Sequence, residues 1–455
     1  MSDTIITDVT FPGSAHVGAA VEVVNRLHDH GYTALFAGGC VRDLLLNDGR
    51  AMGDIDIATS ATPQTVAKLF TNTIGVGAHF GVMVVVHRSF QFEVATFRSD
   101  VGIKDGRHPE QVVFTDAPTD AARRDFTING MFYDPLSRAV FDYVGGRRDL
   151  QKKVIRSIGD PDLRFTEDYL RLLRAVRFAA RFDFSIDPPT WQALCHHAAG
   201  IGQVSAERIF AELEKMLCQK NADVALRYLQ QCGLLAIVLP ELEATVGVEQ
   251  PPQFHPEGCV FEHTLLMLKQ LNNPSPVLAW STLLHDIGKP PTFRITDRIR
   301  FNNHNRVGAE MAEKLLRRLK ASNALIEAVY ACVDNHMNFI NLMTMRLGTL
   351  KKFLARATLV DEIELHRLDC LASHGNCENV AFLQEKLQGF EAEQIKPEPF
   401  IGGKDLMALG LKPGPLFGEI LDAVYDLQLD ETIRDKAQAL EWVRGHYLNL
   451  LKTED

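Results

Sequence analysis

The sequence predicts an α+β protein, in which a small head of mixed strands and helices precedes a longer, almost wholly helical remainder. Apolar and polar residues alternate with the period of two that is typical of strands at 54–58 and on both sides of Arg88-Ser89. Beyond the Gly145-Gly146 turn, apolar residues recur with the helical period of 3.6 instead. Proline-rich stretches at 251–256 and 397–399 interrupt the helical part.

The head combines an amphipathic first helix with short buried strands, and two runs that alternate around Arg88-Ser89 predict a hairpin. Its predicted elements are a helix at 15–29, a strand at 34–37, a helix at 41–46, a strand at 54–58, a helix at 63–70 and hairpin strands at 82–87 and 90–97. Further helices are predicted at 167–181, 189–198, 206–218, 223–232, from 261 onward and at 430–451.

These breaks divide the chain into four expected parts. They are a head at 1–150, a helical neck at 151–248, a second helical domain at 249–380 and a helical tail at 381–455. The hydrophobic content of 46% supplies ample core for several domains.

Composition points to an ordinary cytoplasmic globular protein. No apolar run is long enough to cross a bilayer, and the first residues do not resemble a signal peptide, so we expect no membrane partner. The eight cysteines form no C-x-x-C pair, which favours reduced thiols over a disulfide framework or a zinc site.

The charge is distributed unevenly along the chain. The net charge is −10, but the stretch from Arg123 to Arg181 holds 13 Lys and Arg against 8 Asp and Glu, hence +5, which leaves −15 elsewhere. A local basic lane in an acidic protein suits one defined phosphate-bearing partner. The alternative interpretation is a solvated basic surface.

Two carboxylates in the short strand at 54–58 are the first candidate chemistry. Asp54 and Asp56 are two positions apart, so they share one face of a strand while Ile55 and Ile57 pack on the other. Carboxylates so placed can hold two divalent ions roughly 4 Å apart, as in-line phosphoryl transfer uses them. Upstream, Gly38-Gly39 allow backbone N–H groups to approach a triphosphate.

Six stretches carry a family resemblance. In chain order they are GGCVRD, GDIDIAT, FEVATFR, RRDFTINGM, DYVGGRRDL and RFTEDYLRLLRAVRFAAR. This series resembles the class II tRNA nucleotidyltransferases and bacterial poly(A) polymerases of the polymerase β-like superfamily. The resemblance implies a nucleotidyltransferase head followed by an all-α neck.

The same resemblance implies roles for residues of the head. Asp54 and Asp56 would ligate Mg²⁺, and Glu93 would supply a third carboxylate from the hairpin. Glu93 could alternatively be a solvated strand residue. Arg42 would reach the triphosphate, as would Arg123 or Arg124, with Arg124 favoured; guanidinium groups suit phosphate oxygens because they bind them bidentately.

Asp168, Arg171, Arg174 and Arg177 recur every three residues, so on one helix they would form a line along one flank. An exposed, salt-bridged helix is the alternative. The resemblance implies that Asp168 and Arg171 read the base, while Arg174 and Arg177 stack, position that pair or contact phosphate. Cytosine and adenine both offer an amine donor beside a ring-nitrogen acceptor, which a carboxylate and a guanidinium complement. Uracil and guanine would leave both side chains unpaired, which makes such discrimination large.

A second resemblance lies farther along the chain. The order His263, His285-Asp286, His304, His336 and Asp369 is similar to that of HD phosphohydrolases, and implies an HD-type helical domain with a divalent metal of unknown identity. His263, His285, Asp286 and Asp369 would hold a first ion. His304 and His336 suggest a second ion; the alternative is that one of them binds phosphate instead.

Together these features predict an enzyme that transfers CMP and AMP from CTP and ATP to the 3′ end of tRNA. The acidic C-terminal half and the HD-like residues favour this activity over poly(A) addition. Addition of CC alone or A alone stays open, as does an RNA-binding HD phosphohydrolase with a silent head. The resemblance also implies HD activity on 2′,3′-cyclic phosphates or 2′-phosphates, and the oligomeric state stays open.

Overall fold

The computed structural model describes residues 5–46, 53–77, 81–103, 109–253, 255–256 and 258–447. The chain forms two compact units; the first ends at Glu243 and the second begins at Ala244. This boundary lies five residues before the predicted end of the neck at 248. The finer division into four parts stays a prediction.

The first unit holds the strands of the head and the helices of the neck. Its strands are β1 (Ile5–Ile6), β2 (Ala34–Ala37), β3 (Asp56–Thr59), β4 (Thr73–Gly77), β5 (Val82–His87), β6 (Phe90–Thr96), β7 (Arg98–Ile103), β8 (Pro109–Phe114), β9 (Met131–Asp134), β10 (Ala139–Asp142), β11 (Val154–Ile155) and β12 (Ser185–Ile186). Its helices are α1 (Ala15–Asp29), α2 (Gly39–Leu46), α3 (Pro63–Leu69), α4 (Ala117–Ala122), α5 (Gly146–Lys152), α6 (Pro161–Glu167), α7 (Leu170–Phe182), α8 (Pro188–His196), α9 (Ala206–Leu217), α10 (Ala222–Gln231), α11 (Leu234–Val238) and α12 (Pro240–Glu243).

A mixed sheet organises the head. Among the described residues its strand order is β1-β10-β9-β2-β3-β6-β5-β4. The neighbours β3 and β6 run parallel, with Ile57 opposite Val94, whereas the other pairs are antiparallel. Asp56 and Glu93 precede Ile57 and Val94 by one residue, so this register places them side by side on adjacent strands.

The carboxylate strand is shorter than predicted at its start. β3 begins at Asp56, so the expectation that Asp54 lies within the strand is wrong, although the predicted alternation holds. Ile55 and Ile57 are buried, at 1% exposure each, while Asp54 and Asp56 are exposed. The two carboxylates therefore point away from the core on the same side.

The predicted hairpin is confirmed. Strands β5 and β6 pair from Val82 with Ala95 to His87 with Phe90. Arg88 and Ser89 both have positive φ angles, 48° and 69°, which give the turn the twist that two-residue hairpins need. Phe92 and Val94 are buried, so Glu93 between them faces away from the core.

One predicted helix of the neck is broken. The expected helix at 167–181 is instead α6 and α7, and Asp168 between them is extended, with φ −154° and ψ 101°. Its side chain accepts a hydrogen bond from Leu170 N, 3.1 Å away, which satisfies a backbone N–H at the start of α7 and competes with a continuous helix. The ring of Tyr169 packs so closely over Gly200 that an added Cβ would lie 2.1 Å from it.

The second unit is mainly helical, as predicted. Its helices are α13 (Val260–Lys269), α14 (Pro276–Leu284), α15 (Lys289–Thr292), α16 (His304–Arg318), α17 (Asn323–Asn335), α18 (Leu347–Leu354), α19 (Leu359–Ala372), α20 (Glu378–Gly389), α21 (Ala392–Ile395), α22 (Gly403–Ala408), α23 (Pro415–Leu429) and α24 (Lys436–Tyr447). A 3₁₀ helix spans His336–Thr344, and an unpredicted hairpin consists of β13 (Phe293–Ile295) and β14 (Ile299–Phe301).

The tail departs from the prediction at one end. Its last described helix begins at Lys436, six residues after the predicted start at 430. The preceding helix, α23, ends at Leu429, and Glu431 has a φ of 58°, a conformation that is typical just after the end of a helix. Residues 448–451 of the predicted helix lie outside the described residues.

Two glycines let the helices of the second unit meet closely. A Cβ added to Gly288 would lie 2.1 Å from the carbonyl oxygen of His304 and 2.6 Å from Gly308 N. Only glycine leaves space for this approach. The contact brings the start of α16 against the segment that follows α14, and so places His304 beside Asp286.

The helices that the structure describes include none that combines the length and the apolarity needed to cross a membrane.

Candidate active sites

A polar cavity of about 490 Å³ opens in the first unit. It contains ten of the twelve predicted transferase residues. The lining residues are Gly38, Gly39, Arg42, Asp56, Arg123, Arg124, Asp125, Asn129, Asp168, Arg171, Arg174, Arg177, Phe178 and Arg181. The structure thus gathers side chains that are up to 143 positions apart, as Gly38 and Arg181 are, around one space.

Three carboxylates meet beside this cavity. Although Asp56 as a whole residue is exposed, the protein around its carboxylate partly desolvates that group. This desolvation, together with the negative charges of Glu93 and Asp54, raises the pKa of Asp56 to about 6, while the positive charge of Arg124 opposes the rise. Asp54 and Glu93 do not line the cavity, but both are close enough to act on Asp56. Mutually repelling carboxylates on adjacent strands suit a divalent cation, which neutralises them.

The Gly-Gly turn allows a guanidinium to approach the carboxylate strand. Gly38 has a φ of +73°, and a Cβ added there would lie 3.0 Å from Nη1 of Arg124. A side chain at this position would therefore be strained and would crowd that arginine. Gly39 is the first residue of α2 and lines the cavity beside it.

Arg42 forms part of the cavity wall and is 4% exposed. It donates hydrogen bonds to Oδ1 of Asn129, at 2.6 Å, and to Oδ1 of Asp43, at 2.8 Å. Its guanidinium also stacks 4.6 Å above the ring of Phe182. These contacts hold its orientation firmly, so Arg42 also fastens α2 to the neck.

A buried carboxylate that the sequence analysis missed holds the two adjacent arginines apart. Asp120 is 1% exposed; its Oδ1 accepts from Arg123, at 2.6 and 2.9 Å, and its Oδ2 accepts from Arg124, at 3.0 and 3.1 Å. Arg124 is therefore the one directed toward Gly38 and Asp56, whereas Nε of Arg123 donates to the carbonyl of Arg98. This geometry agrees with the preference for Arg124.

Two more buried carboxylates support the arginines of α7. Asp125 accepts from Nε and Nη2 of Arg174, at 2.9 and 2.6 Å. Burial alone would raise the pKa of Asp125, but the charge of Arg174 and hydrogen bonds from Asn129 and Arg174 hold it at about 2. Glu212 of α9, 3% exposed, accepts from Nε of Arg177 at 2.6 Å. Arg174 and Arg177 are thus anchored, which fits positioning better than mobile phosphate capture.

The two predicted base readers are not paired with each other. Asp168 is bound by Nη2 of Arg208, at 2.8 Å, from α9. Arg171 is bound by Glu167, at 2.7 Å, and donates to the carbonyl of Arg123 at 3.2 Å. Each side chain is therefore oriented by a separate partner while both line the cavity. The prediction that all four residues lie along one flank of a single helix is wrong for Asp168, because it lies in the break before α7.

The second unit contains a cluster of buried ligand atoms. One ligand atom each from His263, His285 and Asp286 lie within 4.8 Å of one another, and so do those from Asp286, His304 and His336. Asp286 belongs to both groups. In addition, Oδ1 of Asp369 lies 3.1 Å from Nε2 of His263. All six predicted residues therefore come together, in an arrangement with room for two ions that share Asp286.

The hydrogen bonds of the imidazoles prepare them for a metal. The Nδ1 atoms of His285, His304 and His336 lie 2.6–3.0 Å from backbone carbonyl oxygens, which only accept, so these nitrogens carry the protons. The Nε2 atoms of His304 and His336 then face each other as two acceptors, 3.2 Å apart. The buried Nε2 of His285 has no hydrogen-bond partner among the described residues. Such an arrangement is unfavourable unless a cation lies between the lone pairs.

Electrostatics favour the same protonation states. Burial, followed by the nearby His304 and His285, lowers the pKa of His336 to about 3, so its imidazole is neutral at physiological pH. Burial would raise the pKa of Asp286, but the neighbouring His285 and the ammonium group of Lys289 hold it well below its ordinary value. Neutral imidazoles and ionised carboxylates are the forms that bind metal. Nζ of Lys289, 2.7 Å from Asp286, was not among the predicted site residues.

Comparisons with known proteins match the parts of the chain in which both candidate sites lie. Residues 34–156 match the model of the poly A polymerase head domain, residues 183–245 that of a probable RNA and SrmB binding site of polymerase A, and residues 260–372 that of the HD domain. A CCA-adding enzyme of Bacillus stearothermophilus, whose crystal structure contains CTP, superposes with a TM-score of 0.74 at 28% identity, covering 97% of this chain and all of that one.

Two curated relatives match over different lengths. A CCA-adding enzyme of Bacillus pumilus is 42% identical over 225 residues, which are 49% of this chain and 55% of that protein, so the chain spans about half the length of such relatives. A CCA-adding enzyme of Pediococcus pentosaceus is 32% identical over 427 residues, which cover 92% of this chain and 95% of that protein. On this near-complete match, the chain belongs to the family of CCA-adding enzymes, with a poly A polymerase-type head and an HD domain.

Proposed function

We propose that the protein adds CMP and AMP, from CTP and ATP, to the 3′ end of tRNA and releases pyrophosphate. The observation that carries this proposal is one cavity lined by both Asp56 of the carboxylate cluster and the base-reading candidates Asp168 and Arg171. It therefore provides groups for transfer and for nucleotide choice without a template strand. Such a reaction would take place in the cytoplasm, where we expect the protein.

Asp54, Asp56 and Glu93 would hold Mg²⁺, which, when bound, lowers the pKa of an attacking hydroxyl and neutralises phosphate charge. The 3′ oxygen forms a bond to the α-phosphorus, the bond from that phosphorus to the oxygen shared with the β-phosphorus breaks to release pyrophosphate, and the hydroxyl proton passes to water. Arg124, beside Asp56 and fixed by Asp120, would bind the triphosphate oxygens. Arg42 would contribute positive charge from the wall.

Base choice would depend on the held orientations of Asp168 and Arg171. The carboxylate accepts a hydrogen bond from the exocyclic amine of cytosine or adenine, and the guanidinium donates to the ring nitrogen. Arg208 and Glu167 fix these two side chains before the nucleotide enters. Preorganised groups discriminate better, because a wrong base leaves them unpaired.

A second activity is supported by the cluster of His263, His285, Asp286, His304, His336 and Asp369. We propose metal-dependent hydrolysis of a phosphoester there, with 2′,3′-cyclic phosphate or 2′-phosphate ends as the substrates that the HD resemblance implies. The facing lone pairs of His304 and His336 favour an occupied site over a purely structural cluster. Lys289 would hold Asp286 ionised.

Removal of a carboxylate tests the transferase. Asp54→Ala or Asp56→Ala should lower incorporation of labelled CMP and AMP into tRNA lacking its CCA end by at least about 10²-fold, because charge stabilisation in the transition state is lost. Separate reactions with each NTP also distinguish CCA addition from CC-only, A-only or poly(A) addition. Asp29→Ala removes an exposed carboxylate at the end of α1 and should be neutral. This site would be excluded if both aspartate variants retained more than about a tenth of the wild-type rate. A tenfold loss of rate corresponds to about 1.4 kcal/mol of activation free energy.

The pKa of Asp56 predicts how metal binding varies with pH. With a pKa of about 6, Asp56 is mostly protonated below pH 6, and an ion must displace that proton. The apparent affinity of the head for Mn²⁺ should fall by about tenfold per pH unit below 6 and level off above 7. Titrations followed by electron paramagnetic resonance, on protein with His285→Ala and Asp286→Ala to remove the second site, measure this. An affinity unchanged between pH 5 and 7 contradicts the assignment.

Base selection can be separated from transfer. Asp168→Ala should increase incorporation of UMP and GMP relative to CMP and AMP, because the acceptor for the amine is lost. Arg208→Ala should have the same effect more weakly, since Asp168 remains but loses its partner. Lys215→Ala, an exposed cation on the same helix, serves as the control. Assays with all four NTPs measure the ratio; an equal loss for every NTP in the Asp168 variant would assign this residue to structure.

Loss of the activity at one site should leave the activity at the other site intact. His285→Ala combined with Asp286→Ala should eliminate hydrolysis of 2′,3′-cyclic phosphate ends with Mg²⁺, Mn²⁺, Ni²⁺ or Co²⁺, while nucleotide addition persists, because sites without shared partners act additively. His446→Ala, on the exposed side of α24, is the control. Wild-type protein that hydrolyses none of these esters would refute the second activity. Equal loss of both activities would instead give the cluster a structural role.

A further inference from the structure

The ring of Tyr169 packs against Gly200, which lies in a 3₁₀ helix at Ala198–Gln203. Tyr169 directly follows Asp168 in the break between α6 and α7. We propose that this contact positions the carboxylate of Asp168 for base selection, so that Tyr169 and Gly200 are positioning residues that determine the specificity of the transferase. The inference rests on the proposed role of Asp168 as a base reader.

Only glycine allows the ring to come this close. A Cβ added to Gly200 would lie 2.1, 2.2 and 2.6 Å from Cε1, Cδ1 and Cζ of Tyr169. Carbon atoms in ordinary contact are about 3.5–4.0 Å apart, so the ring would have to withdraw by roughly 1.5 Å. Gly200 does not have a positive φ, and it lies within a helical turn that other residues adopt as readily. The requirement for glycine at this position therefore comes from the ring.

Asp168 lacks the support that a continuous helix would give it. Its backbone is extended, with φ −154° and ψ 101°, and α7 begins only at Leu170. The contact of Tyr169 with Gly200 gives this break a fixed distance to the 3₁₀ helix. An aromatic side chain has only two rotatable torsions, so a contact at its ring also constrains the backbone from which it extends. That backbone is bonded directly to Asp168.

The 3₁₀ helix leads into the helix that binds the carboxylate. α9 begins at Ala206, three residues after the end of the 3₁₀ helix, and carries Arg208. Nη2 of Arg208 lies 2.8 Å from Oδ2 of Asp168, while Oδ1 of Asp168 accepts from the backbone of α7. Tyr169 and Gly200 therefore set the separation of the two segments that this ion pair joins. The orientation of the carboxylate depends on the ring contact as well as on the arginine.

Gly200→Ala tests the inference, because it adds one methyl group against the ring. Incorporation of UMP and GMP relative to CMP and AMP, into tRNA lacking its CCA end, should rise at least about fivefold, since a misplacement of about 1 Å can change rates by up to 10²-fold. Tyr169→Ala removes the ring and should raise the ratio similarly, whereas Tyr169→Phe keeps the ring and should select as wild type does. Gly202→Ala is the matched control on the same 3₁₀ helix, because nothing lies within 4 Å of a Cβ added there.

Combined variants show whether the contact acts through Asp168. Gly200→Ala with Tyr169→Ala should select no worse than Tyr169→Ala alone, because the added methyl group has no ring to strike. Gly200→Ala added to Asp168→Ala should change the ratio no further, because the carboxylate that it displaces is already absent. The inference is overturned if Gly200→Ala lowers the melting temperature but keeps the wild-type ratio, or if its effect on the ratio multiplies with that of Asp168→Ala. If Gly200→Ala does not fold, Tyr169→Ala and Tyr169→Phe decide by the same criteria.

The outcomes also separate this inference from the proposed role of Asp168. If Asp168→Ala relaxes base selection and the variants of Gly200 and Tyr169 do not, the positioning contact is refuted and the base reader stands. If Asp168→Ala lowers incorporation of all four nucleotides equally, the base reader is refuted, and this inference with it.

Nucleotide binding tests the contact even if the protein transfers nothing to tRNA. Isothermal titration of the full chain with CTP and with UTP, with Ca²⁺ in place of Mg²⁺, measures selection without turnover. The preference for CTP should fall at least about threefold in Gly200→Ala and should be unchanged in Gly202→Ala. An unchanged preference in both Gly200→Ala and Tyr169→Ala would overturn the inference.

Discussion

The charge balance of the head cavity is the constraint on which the rest of the first unit depends. Seven arginines line one space of about 490 Å³, and their mutual repulsion must be offset. Asp120, Asp125 and Glu212 do so from below the surface, each accepting charge-assisted hydrogen bonds from one or two of them. Buried ion pairs add little net stability when their desolvation is counted. Their consequence here is orientation, since each guanidinium presents a fixed edge to the cavity.

The sequence predicts the reactive groups of this cavity better than it predicts their supports. Asp56 and Arg124 lie in local motifs whose alternation and spacing are visible along the chain. Asp120 precedes Arg123 and Arg124 by three and four residues, so a helical pair could have been inferred, but its burial depends on tertiary packing. The pairing of Arg177 with Glu212 joins positions 35 residues apart and leaves no local signal. The helix prediction was wrong at Asp168 because the side chain of this residue accepts a hydrogen bond from Leu170 N, which competes with a continuous helix.

In the second unit the order of candidate ligands along the chain predicted six residues that the structure brings together, because each lies on a helix or at the end of one. The features that the sequence analysis missed are of another kind. Gly288 permits the close helix approach that places His304, and Lys289 holds Asp286 ionised. The hairpin at 293–301 was missed because its strands are only three residues long, so the alternation of Phe-Arg-Ile and Ile-Arg-Phe is too short to indicate a strand.

The donor atoms of the two sites make them chemically separate. The head offers carboxylate oxygens alone, which suit hard cations such as Mg²⁺, whereas the HD cluster adds imidazole nitrogens whose protons are fixed on Nδ1 by backbone carbonyls. Nitrogen donors favour transition metals over Mg²⁺, so one chain can sort two kinds of ion without a dedicated selectivity device. The same contrast appears in what surrounds each site: arginines oriented by carboxylates in the head, and a lysine paired with Asp286 in the HD cluster. The first arrangement fits a triphosphate with many anionic oxygens.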